Sequence, residues 1–369
     1  MHYTLHLTSE CNFRCDYCYV QHNKQAMTEE LAYRAIDQAL ALEQLVVGIA
    51  FFGGEPLLQK DLIKGTVRYA NNHPRKKKTQ FYFKLTTNGS LLDEEFIKYC
   101  KNEHIYVAVS LDGGAAVHNK HRRDCQGNET FTTVSKNAGI LLKYLPNSPV
   151  MLTINPDTVI DYADSVEYLF DFGFIYLLAG INYQANWDKT AFKELKKQYD
   201  LLADFYFTQT MAEKKFYLSP FDGKISSHIK SQNYCDKRCD LGKGHVSIAP
   251  NGDIYPCVEF INNAHYKIGD VFTGIDQKKR ASLFAEEKDE DCLGCAIRQR
   301  CNHYCSCQNL RATGYVDRIS PLLCQNEQLL LPIADKVAER LYKRRNGLFI
   351  QKQYNEYYPI LSVLEDKIK

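Results

Sequence analysis

The first half of the chain alternates short apolar segments with amphipathic ones. Six segments are rich in β-branched and aromatic residues, which predicts strands, and they span residues 3–7, 46–52, 80–85, 106–111, 150–154 and 174–178. The segments between them carry apolar residues at helical spacing, most clearly over residues 93–103, 130–145 and 158–171. Strands that alternate with helices predict a parallel sheet with right-handed crossovers. Six such units predict an α/β fold, a partial (β/α)6 TIM-like barrel, rather than a closed barrel of eight strands.

Polar or glycine-rich residues follow most of these strands. A cysteine-rich loop at residues 11–18 follows the first strand, and Gly53-Gly54-Glu55-Pro56 follows the second. Ser110 lies at the end of the fourth strand, and Asn155 follows the fifth. In parallel strand–helix folds the carboxyl ends of the strands gather the reactive groups at one face. We therefore expect these residues to face one another around one site.

The first loop holds three cysteines, Cys11, Cys15 and Cys18, at C-x3-C-x2-C spacing. Three thiolates on one short loop can wrap around a single metal centre, but they leave one coordination position open. A structural zinc site is closed by a fourth ligand, for which His22 is the candidate. An iron–sulfur cluster with three cysteine ligands keeps one iron free to bind something else. We favour the cluster because further cysteine motifs lie downstream.

Length and composition allow one large domain and a smaller one. The chain has 369 residues, 45% of them hydrophobic, and its net charge of +2 gives no electrostatic reason to expect nucleic acid as a partner. The basic run at residues 75–78 is typical of a solvated loop. We find no signal peptide and no membrane-length apolar run, so neither a membrane nor secretion is expected. Fourteen cysteines in a chain expected in the cytoplasm indicate metal or redox chemistry rather than disulfides.

The second half opens with an amphipathic segment at residues 187–213, which predicts a long helix that bridges to a second domain. Cysteine density then rises. Cys257 follows a hairpin-like segment in which Asn251-Gly252 is a strong turn signal. The other cysteines of this region are Cys235, Cys239, Cys292, Cys295, Cys301, Cys305, Cys307 and Cys324. Two zinc ribbons are the simple alternative to iron–sulfur clusters here. A helix from Pro332 and an aromatic tail at residues 349–358 are predicted to end the chain.

The first cysteine loop resembles the signature of radical S-adenosylmethionine (radical SAM) enzymes, C-x3-C-x-aromatic-C, with Tyr17 as the aromatic residue. The resemblance implies that Cys11, Cys15 and Cys18 hold a [4Fe-4S] cluster, whose fourth iron takes the amino and carboxylate groups of S-adenosylmethionine. It also implies reductive cleavage of that cofactor to a 5′-deoxyadenosyl radical, which abstracts a hydrogen atom from the substrate.

Further cofactor contacts follow from the same resemblance. The segment Gly53-Gly54-Glu55-Pro56 looks like the part of the family that holds the methionine end of S-adenosylmethionine. Glycines let backbone approach a ligand closely, and a carboxylate can pair with an ammonium group. Ser110 and Arg122 lie in a stretch similar to the region that contacts the ribose and the carboxylate, and Arg123 is an equal candidate by charge. Tyr17 is expected to contact the cofactor as well.

From Cys239 onward the chain resembles the seven-cysteine pattern of the SPASM extension of radical SAM enzymes. The resemblance implies two auxiliary [4Fe-4S] clusters, each held by four thiolates. The two sets are Cys235, Cys239, Cys257 and Cys305, and Cys292, Cys295, Cys301 and Cys324. Cys307 is left over, as a spare thiol or a substitute ligand. We predict a radical SAM partial barrel at residues 1–186, a bridging helical segment at 187–234, a SPASM domain at 235–331 and a C-terminal helix and tail at 332–369.

The resemblance predicts a peptide-modifying enzyme, because SPASM enzymes mostly act on peptides or proteins. We expect a maturase that installs a crosslink in a ribosomally made precursor peptide, most simply a cysteine thioether, since residues 301–309 resemble such maturases. A carbon–carbon or carbon–oxygen crosslink is an alternative. An electron donor such as flavodoxin or ferredoxin is implied. The common N-terminal peptide-recognition domain is missing before the first strand, so leader binding is expected to need another surface or a separate recognition protein.

Two other functions stay open. Overall length and layout resemble anaerobic sulfatase maturases, which oxidise a cysteine or serine to formylglycine. In that family an aspartate directly after the second SPASM cysteine looks like the general base, but Val258 occupies the position here. Glu259 comes next and, on a strand, is expected to point to the opposite face. A non-catalytic iron–sulfur electron carrier is the alternative from another class, although such a carrier has no use for an open iron.

Overall fold

A computed structural model describes residues 1–76, 78–230, 242–283, 292–302 and 305–362. Within these ranges the strands are β1 (His2–Thr8), β2 (Val46–Gly53), β3 (Gln80–Thr87), β4 (Ile105–Ser110), β5 (Val150–Ile154), β6 (Tyr176–Ile181), β7 (Tyr217–Leu218), β8 (His245–Ile248), β9 (Asp253–Tyr255), β10 (Gly269–Asp270) and β11 (Gly274–Ile275). They join one sheet in the order β11-β10-β9-β8-β1-β2-β3-β4-β5-β6-β7.

The α-helices of the same ranges cover the sheet and the C-terminal part of the chain. They are α1 (Glu29–Ala41), α2 (Lys60–Asn72), α3 (Glu94–Asn102), α4 (Ala115–His121), α5 (Phe131–Tyr144), α6 (Tyr162–Phe172), α7 (Lys189–Met211), α8 (Ser219–Lys230), α9 (Gln277–Leu283), α10 (Ser306–Thr313), α11 (Pro321–Lys343) and α12 (Gly347–Tyr354). The sequence patterns do not predict α2 and α4, whereas α7 and α8 both lie within the predicted bridging helical segment at residues 187–234. Within the described ranges, no helix combines the length and apolar character that crossing a membrane requires.

The parallel half of the sheet has the predicted architecture. Neighbouring strands from β1 to β7 pair in parallel. The two ends of the sheet, β7 and β11, do not hydrogen-bond to each other in the described strands, so the partial barrel is open, as predicted. The sixth strand begins at Tyr176 rather than at residue 174. The reason is local, because Gly173 ends α6 in the left-handed conformation at φ 117° and Phe174 is buried in the connection.

The main core lies between the sheet and its helices. Tyr3, Leu5 and Leu7 alternate along β1 and are all buried in this core. Helix α1 begins after a capping residue, because the Thr28 side chain accepts a hydrogen bond from the Leu31 backbone N–H. The helix buries alanines, which have little volume and so let its axis approach the strands closely.

The second half of the chain joins the same sheet. β8 pairs in parallel with the free edge of β1, with Thr4 opposite Ser247. The predicted hairpin follows, since β8 and β9 are antiparallel and Gly252 turns between them at φ 87°. This pairing places the hairpin that leads to Cys257 beside the first strand.

The predicted start of the terminal helix at Pro332 is wrong. α11 begins at Pro321, where the Ser320 side chain caps it by accepting a hydrogen bond from Leu323 N–H. Pro332 lies inside this helix. An internal proline removes one backbone hydrogen bond, but the apolar face around it, including Leu330 and Val337, is buried against the core and keeps the helix together. The aromatic tail is in part helical, as α12.

Gly252 offers a test of the hairpin that joins the two halves. A Cβ atom on Gly252 would lie 2.9 Å from the side chains of Leu31 and Val271. We expect Gly252→Ala to destabilise the protein through left-handed strain of about 1–2 kcal/mol and through overpacking of about 1–3 kcal/mol. Denaturant unfolding of the anaerobically purified protein measures the change. Gly127→Ala is the matched control, because Gly127 has φ 84° and nothing within 4 Å of the added Cβ. Equal losses of unfolding free energy in the two variants would show that Gly252 is not closely packed against Leu31 and Val271.

Candidate active site

The three cysteines of the first loop line one cavity. Cys11 and Cys15 are partly buried, Cys18 is exposed, and the cavity has a volume of about 540 Å³. Residues at or near the carboxyl ends of five strands share its wall, namely Phe52, Thr86, Ser110, Thr153 and Gly180. The structure thus brings the predicted strand ends together. Asn155 lies behind the wall, where its side-chain oxygen accepts a hydrogen bond from Asn182, which does line the cavity.

The cysteine loop is tied to the segment that follows α4. Arg14 N–H donates to the Arg123 carbonyl over 2.8 Å, and Cys125 N–H donates to the Asn12 carbonyl over 3.1 Å. The buried His121 ring adds a side-chain link, since Nδ1 lies 2.8 Å from an Asp16 carboxylate oxygen. These bonds hold a loop without regular secondary structure in one conformation. The stretch that resembles the cofactor-binding region therefore also supports the cysteines.

Gly53 and Gly54 pack against the end of β1. Gly54 N–H donates to the Thr8 carbonyl, and Glu55 N–H donates to the Glu10 carbonyl. A Cβ atom on Gly53 would lie 2.4 Å from the Thr8 carbonyl oxygen, and one on Gly54 would lie 2.2 Å from that of Glu10. Both glycines line the cavity, as expected for cofactor contacts. Because neither glycine has a side chain, the backbone here can also lie close to the end of β1, the strand that leads into the cysteine loop.

Glu55 is fully buried behind the cavity wall. Its carboxylate accepts hydrogen bonds from Thr87 Oγ1 at 2.7 Å, from Asn88 N–H at 2.8 Å and from Leu57 N–H at 3.0 Å. Burial raises the pKa of Glu55 to about 7, although these bonds act in the opposite direction. Pro56 is buried next to it at the start of a short 3-10 helix. The structure therefore places the Glu55 carboxylate where it organises the ends of β2 and β3, while its predicted contact with the cofactor stays a prediction.

Asp112 is the centre of a buried polar network that the sequence patterns did not single out. It accepts hydrogen bonds from Tyr17 Oη at 2.6 Å, from Arg122 Nε at 2.8 Å and from Thr153 N–H at 2.9 Å. Burial alone would raise the pKa of Asp112, but the Arg122 guanidinium and these hydrogen bonds hold it below its ordinary value. Asp112 thereby orients Tyr17 and Arg122, both of which line the cavity. Its position two residues after the end of β4 was the sequence signal that could have identified it.

The structure distinguishes the two arginine candidates. Arg122 is buried in the cavity wall, with its guanidinium 5.3 Å from the centre of the Tyr17 ring. Arg123 is exposed and donates to the Gly127 carbonyl instead.

Asn88, directly after β3, is a second residue that the sequence patterns missed. Its side-chain N–H lies 3.8 Å from Cys11 Sγ and 2.9 Å from Asn12 Oδ1.

The cavity wall includes residues from the second cysteine-rich region. Glu259, Gln308 and Arg311 line it together with Tyr19, which follows the first cysteine loop. Arg311 is ion-paired with Glu259, and its guanidinium lies 4.0 Å from the centre of the Tyr19 ring. Burial raises the pKa of Glu259 to about 7 against the effect of Arg311.

The expectation that Glu259 points away from the site is wrong. It assumed that Val258 and Glu259 lie on a strand, where successive side chains alternate between faces. Instead, Val258–Phe260 forms a short 3-10 helix, in which this alternation does not apply. Val258 does not line the cavity within the described residues, whereas Glu259 does.

Three cysteines of the second region have adjacent sulfur atoms. Cys305 Sγ and Cys307 Sγ are 3.4 Å apart, and the Cys307 thiol also hydrogen-bonds to Cys257. This hydrogen bonding lowers the pKa values of Cys257 and Cys305 and raises that of Cys307. The other predicted ligands in the described ranges are Cys292, Cys295, Cys301 and Cys324, the last in the first turn of α11. Cys235 and Cys239 lie outside the described residues.

The donor set of the first loop fits an iron–sulfur cluster. Burial raises the pKa of Cys11 to about 12 and that of Cys15 to about 11, so both sulfurs need a metal in order to lose their protons at neutral pH. Phe13 N–H at 3.3 Å and the Asn88 amide donate toward Cys11 Sγ, as donors around ligand sulfurs do. In the described part of the chain, no three His, Cys, Asp or Glu side chains are grouped so that they could hold a single metal ion. The loop instead lines a cavity large enough for a multi-atom group.

Comparison with known families supports this assignment. The radical SAM superfamily profile matches residues 5–169, and an iron–sulfur cluster-binding domain, SPASM, matches residues 239–302. The chain is a radical SAM enzyme with a SPASM domain. Both resemblances drawn from the cysteine spacing are therefore confirmed, and the two domains imply [4Fe-4S] clusters.

Curated relatives of this enzyme include anaerobic sulfatase-maturating enzymes and a cyclopropyl synthase. It is 25% identical over 327 residues to the cysteine-type anaerobic sulfatase-maturating enzyme of Clostridium novyi, which covers 82% of each chain. It is 23% identical over 297 residues to the serine-type enzyme of Bacteroides thetaiotaomicron, which covers 71% of this chain and 70% of the relative. It is 21% identical over 370 residues to the radical SAM cyclopropyl synthase TigE of Paramaledivibacter caminithermalis. This match covers 93% of this chain and 74% of the relative.

Solved structures share the fold of the radical SAM enzyme described above. The structure of anSMEcpe with bound AdoMet (S-adenosylmethionine) has a TM-score of 0.80 at 20% identity and covers 93% of this chain and 99% of the other. The structure of Streptococcus suis SuiB bound to precursor peptide SuiA has a TM-score of 0.63 at 15% identity. It covers 88% of this chain and 75% of the SuiB chain. The predicted partial barrel with a C-terminal iron–sulfur region is thus the fold of known radical SAM proteins.

The Asp112 network is open to a direct stability test. The pKa of Asp112 is lowered, so its ionised form stabilises the folded state above the ordinary carboxyl pKa, and this stabilisation is lost as the pH falls through the lowered value. We expect Asp112→Asn to cost about 3 kcal/mol of unfolding free energy at pH 7, because it leaves buried Arg122 without a charged partner.

Asp16→Asn is the matched control for this substitution. The Asp16 side chain is 61% exposed and pairs only with His121 among the described salt bridges, so its loss should cost less than about 1 kcal/mol. Denaturant unfolding at pH 7 under anaerobic conditions compares the two variants. Equal losses would show that the Asp112 network does not support the site.

Proposed function

We propose that this enzyme oxidises a cysteine-containing precursor peptide and joins the cysteine sulfur to a carbon of the same peptide. The observation that carries the proposal is the shared cavity. Cys11, Cys15 and Cys18 contribute to its wall, and so do Glu259 and Arg311 of the SPASM region. A peptide segment in this cavity would lie between the cysteine loop and SPASM side chains that can hold it.

The proposed ligands of the first cluster are Cys11, Cys15 and Cys18. Gly53, Gly54, Ser110, Tyr17 and Arg122 line the same cavity and are the proposed contacts of S-adenosylmethionine. Asp112 keeps Tyr17 and Arg122 in place, and Glu55 supports the strand ends behind them. When bound, the first cluster with S-adenosylmethionine supplies an organic radical that takes a hydrogen atom from the substrate, and the auxiliary clusters supply an electron acceptor.

The proposed crosslink determines what the enzyme has to remove from the peptide. Formation of a sulfur–carbon bond removes two hydrogens from the peptide: one hydrogen atom leaves the carbon, and a proton and an electron leave as the thiol sulfur bonds to it. The proposed auxiliary ligand sets are Cys235, Cys239, Cys257 and Cys305, and Cys292, Cys295, Cys301 and Cys324.

Formylglycine formation is the second candidate. Two observations favour it: the sulfatase-maturating relative from Clostridium novyi aligns over 82% of the chain, and a carboxylate, Glu259, lines the cavity although Val258 does not. The ion pair between Glu259 and Arg311 places a charged group of each sign against the substrate space. The two candidates differ in the product that a cysteine peptide gives.

The proposed partners follow from the same chemistry. The enzyme takes a peptide as substrate, and it needs a one-electron donor such as flavodoxin or ferredoxin. A separate recognition protein for the leader segment of the peptide is proposed as well. The expected compartment is a reducing, anaerobic cytoplasm, because reduced iron–sulfur chemistry requires one.

Removal of the first cluster tests the assignment of its ligands. We expect the combined Cys11→Ala, Cys15→Ala and Cys18→Ala variant to produce no deoxyadenosine, because the site that binds S-adenosylmethionine is lost. It should keep the iron of the auxiliary clusters, which other thiols hold. Iron analysis and chromatography of the reaction with dithionite measure both. Cys125→Ala is the control, since the Cys125 thiol touches the loop at the Cys11 carbonyl but is not a proposed ligand. Unchanged iron and turnover in the triple variant would overturn the assignment.

Mass spectrometry of a cysteine-containing peptide tests the reaction itself. The anaerobically reconstituted enzyme, with S-adenosylmethionine and a reductant, is expected to remove two hydrogens and to leave a thiol that no longer reacts with iodoacetamide. Loss of two hydrogens with a free thiol indicates a carbon–carbon or carbon–oxygen bond and overturns the thioether. An aldehyde that reacts with a hydrazide establishes formylglycine instead. The triple cysteine variant is the control, and it should return the peptide unchanged.

A further inference from the structure

Strand β6 has one edge that its neighbour β7 covers only in part. On the other side, β5 pairs with all of residues 177–181, whereas β7 pairs only with Tyr176 and Leu177. The Ser219 side chain continues the contact where β7 ends, because it accepts a hydrogen bond from the Ala179 backbone N–H at 3.0 Å and donates one to the Ala179 carbonyl at 3.2 Å. Beyond Ser219, no further strand of the described chain pairs with this edge.

Ile181 directs its backbone polar groups to the uncovered part of the edge. Along a strand, the N–H and C=O groups of successive residues point alternately to the two sides. Asn182 N–H donates to the Ile154 carbonyl of β5 at 2.9 Å, whereas Ala179 bonds to Ser219 on the opposite side. The Ile181 groups therefore face the same way as those of Ala179. In the described ranges, no backbone hydrogen bond on that side reaches Ile181.

The uncovered edge faces the active-site cavity. All residues from 178 to 181 line the cavity. Side chains alone do not produce this pattern, because every second side chain of a strand points to the other face. Backbone of β6 therefore forms part of the cavity wall. Gly180 is exposed, and a Cβ atom added to it would meet nothing within 4 Å, so the space beside Ile181 is open.

A free strand edge is complementary to an extended polypeptide backbone. Its N–H donates to, and its C=O accepts from, a segment that lies beside it as an added strand. The proposed substrate is a peptide, and part of it has to lie in the cavity that β6 shares with the first cysteine loop. The edge at Ile181 offers both a donor and an acceptor to that peptide at a fixed position.

We propose that the substrate peptide binds in an extended conformation beside β6, where its backbone exchanges hydrogen bonds with the N–H and C=O groups of Ile181. The inference rests on the proposed function, in which a peptide enters this cavity, and it adds the site that holds the peptide backbone. Main-chain hydrogen bonds position a peptide without reading its side chains. Alternate side chains of the peptide then point into the open space next to Gly180.

Removal of the Ile181 N–H tests this contact. Ile181→Pro removes the donor but keeps the pairing with β5, which uses the N–H of Asn182 instead. Fluorescence anisotropy with a fluorescein-labelled, cysteine-containing peptide measures binding to the anaerobically reconstituted enzyme. We expect binding about tenfold weaker, because one hydrogen bond is lost and a peptide carbonyl stays unpaired. Ile181→Val is the matched control, since it keeps the N–H and should bind the peptide like the parent.

A scan of N-methylated peptides tests the same contact with the enzyme unchanged. Each peptide carries one N-methyl group, which removes one N–H donor. Methylation of the amide that donates to the Ile181 carbonyl should weaken binding about tenfold, whereas the two adjacent amides, which point away from the edge, should tolerate it. Equal sensitivity along the peptide, or no sensitive amide, would overturn the proposal.

The remaining outcomes separate this site from the proposed reaction. Peptide binding by Ile181→Pro equal to that of the parent overturns the edge site, and so does weaker binding of S-adenosylmethionine, which would assign the edge to the cofactor. A parent enzyme that binds no peptide overturns both proposals. Binding that depends on Ile181, followed by a product other than a thioether, refutes the proposed reaction but keeps the edge site. If Ile181→Pro loses iron and so has not folded, the scan with the parent enzyme decides.

Discussion

The parallel pairing of β1 with β8 is the constraint on which the site depends. β1 leads into the first cysteine loop, and β8 begins the hairpin that leads to Cys257 and Glu259. Residues 2–5 thus hydrogen-bond with residues 245–248. Closure of so long a loop costs only logarithmically more entropy than closure of a short one, and burial of Val246 and Ile248 offsets that cost. This pairing helps to fix the position of the SPASM side chains relative to the cysteine loop, together with the contact of Arg311 with Tyr19.

Two buried carboxylates then organise the cavity from behind. Asp112 is held in its charged form by Arg122 and aligns Tyr17, whereas Glu55 accepts only hydrogen bonds from uncharged donors and has a raised pKa. The difference follows from the partners, because an adjacent guanidinium offsets the cost of burying a negative charge more completely than neutral donors do. Both groups act on cavity residues through their hydrogen bonds rather than by forming a large part of its wall.

The second cysteine-rich region has little apolar core of its own. Its separate cluster of buried residues consists of Ala249, Tyr255, Phe260, Tyr266 and Cys307. A region with so small a core gains much of its folding free energy from metal–thiolate bonds. Polar contacts add to this, since Arg300 forms a bidentate ion pair with Asp335 of α11 at 2.8 and 2.5 Å. The proposed ligand cysteines would therefore couple the cluster environment to the stability of this region.

The sequence by itself determined the architecture and the chemistry of the cysteines. Period-two and helical patterns are local, so β1 to β5 and most of their helices could be predicted, and cysteine spacing is a covalent property of the chain. Asp112 and Asn88 were missed because their roles depend on partners far away in sequence, such as Tyr17 and Cys11. Glu259 was placed on the wrong side because strand alternation was assumed where the chain forms a 3-10 helix. Only the tertiary structure decided which charged groups line the cavity and which sulfurs touch, because these depend on packing between segments that no local pattern relates.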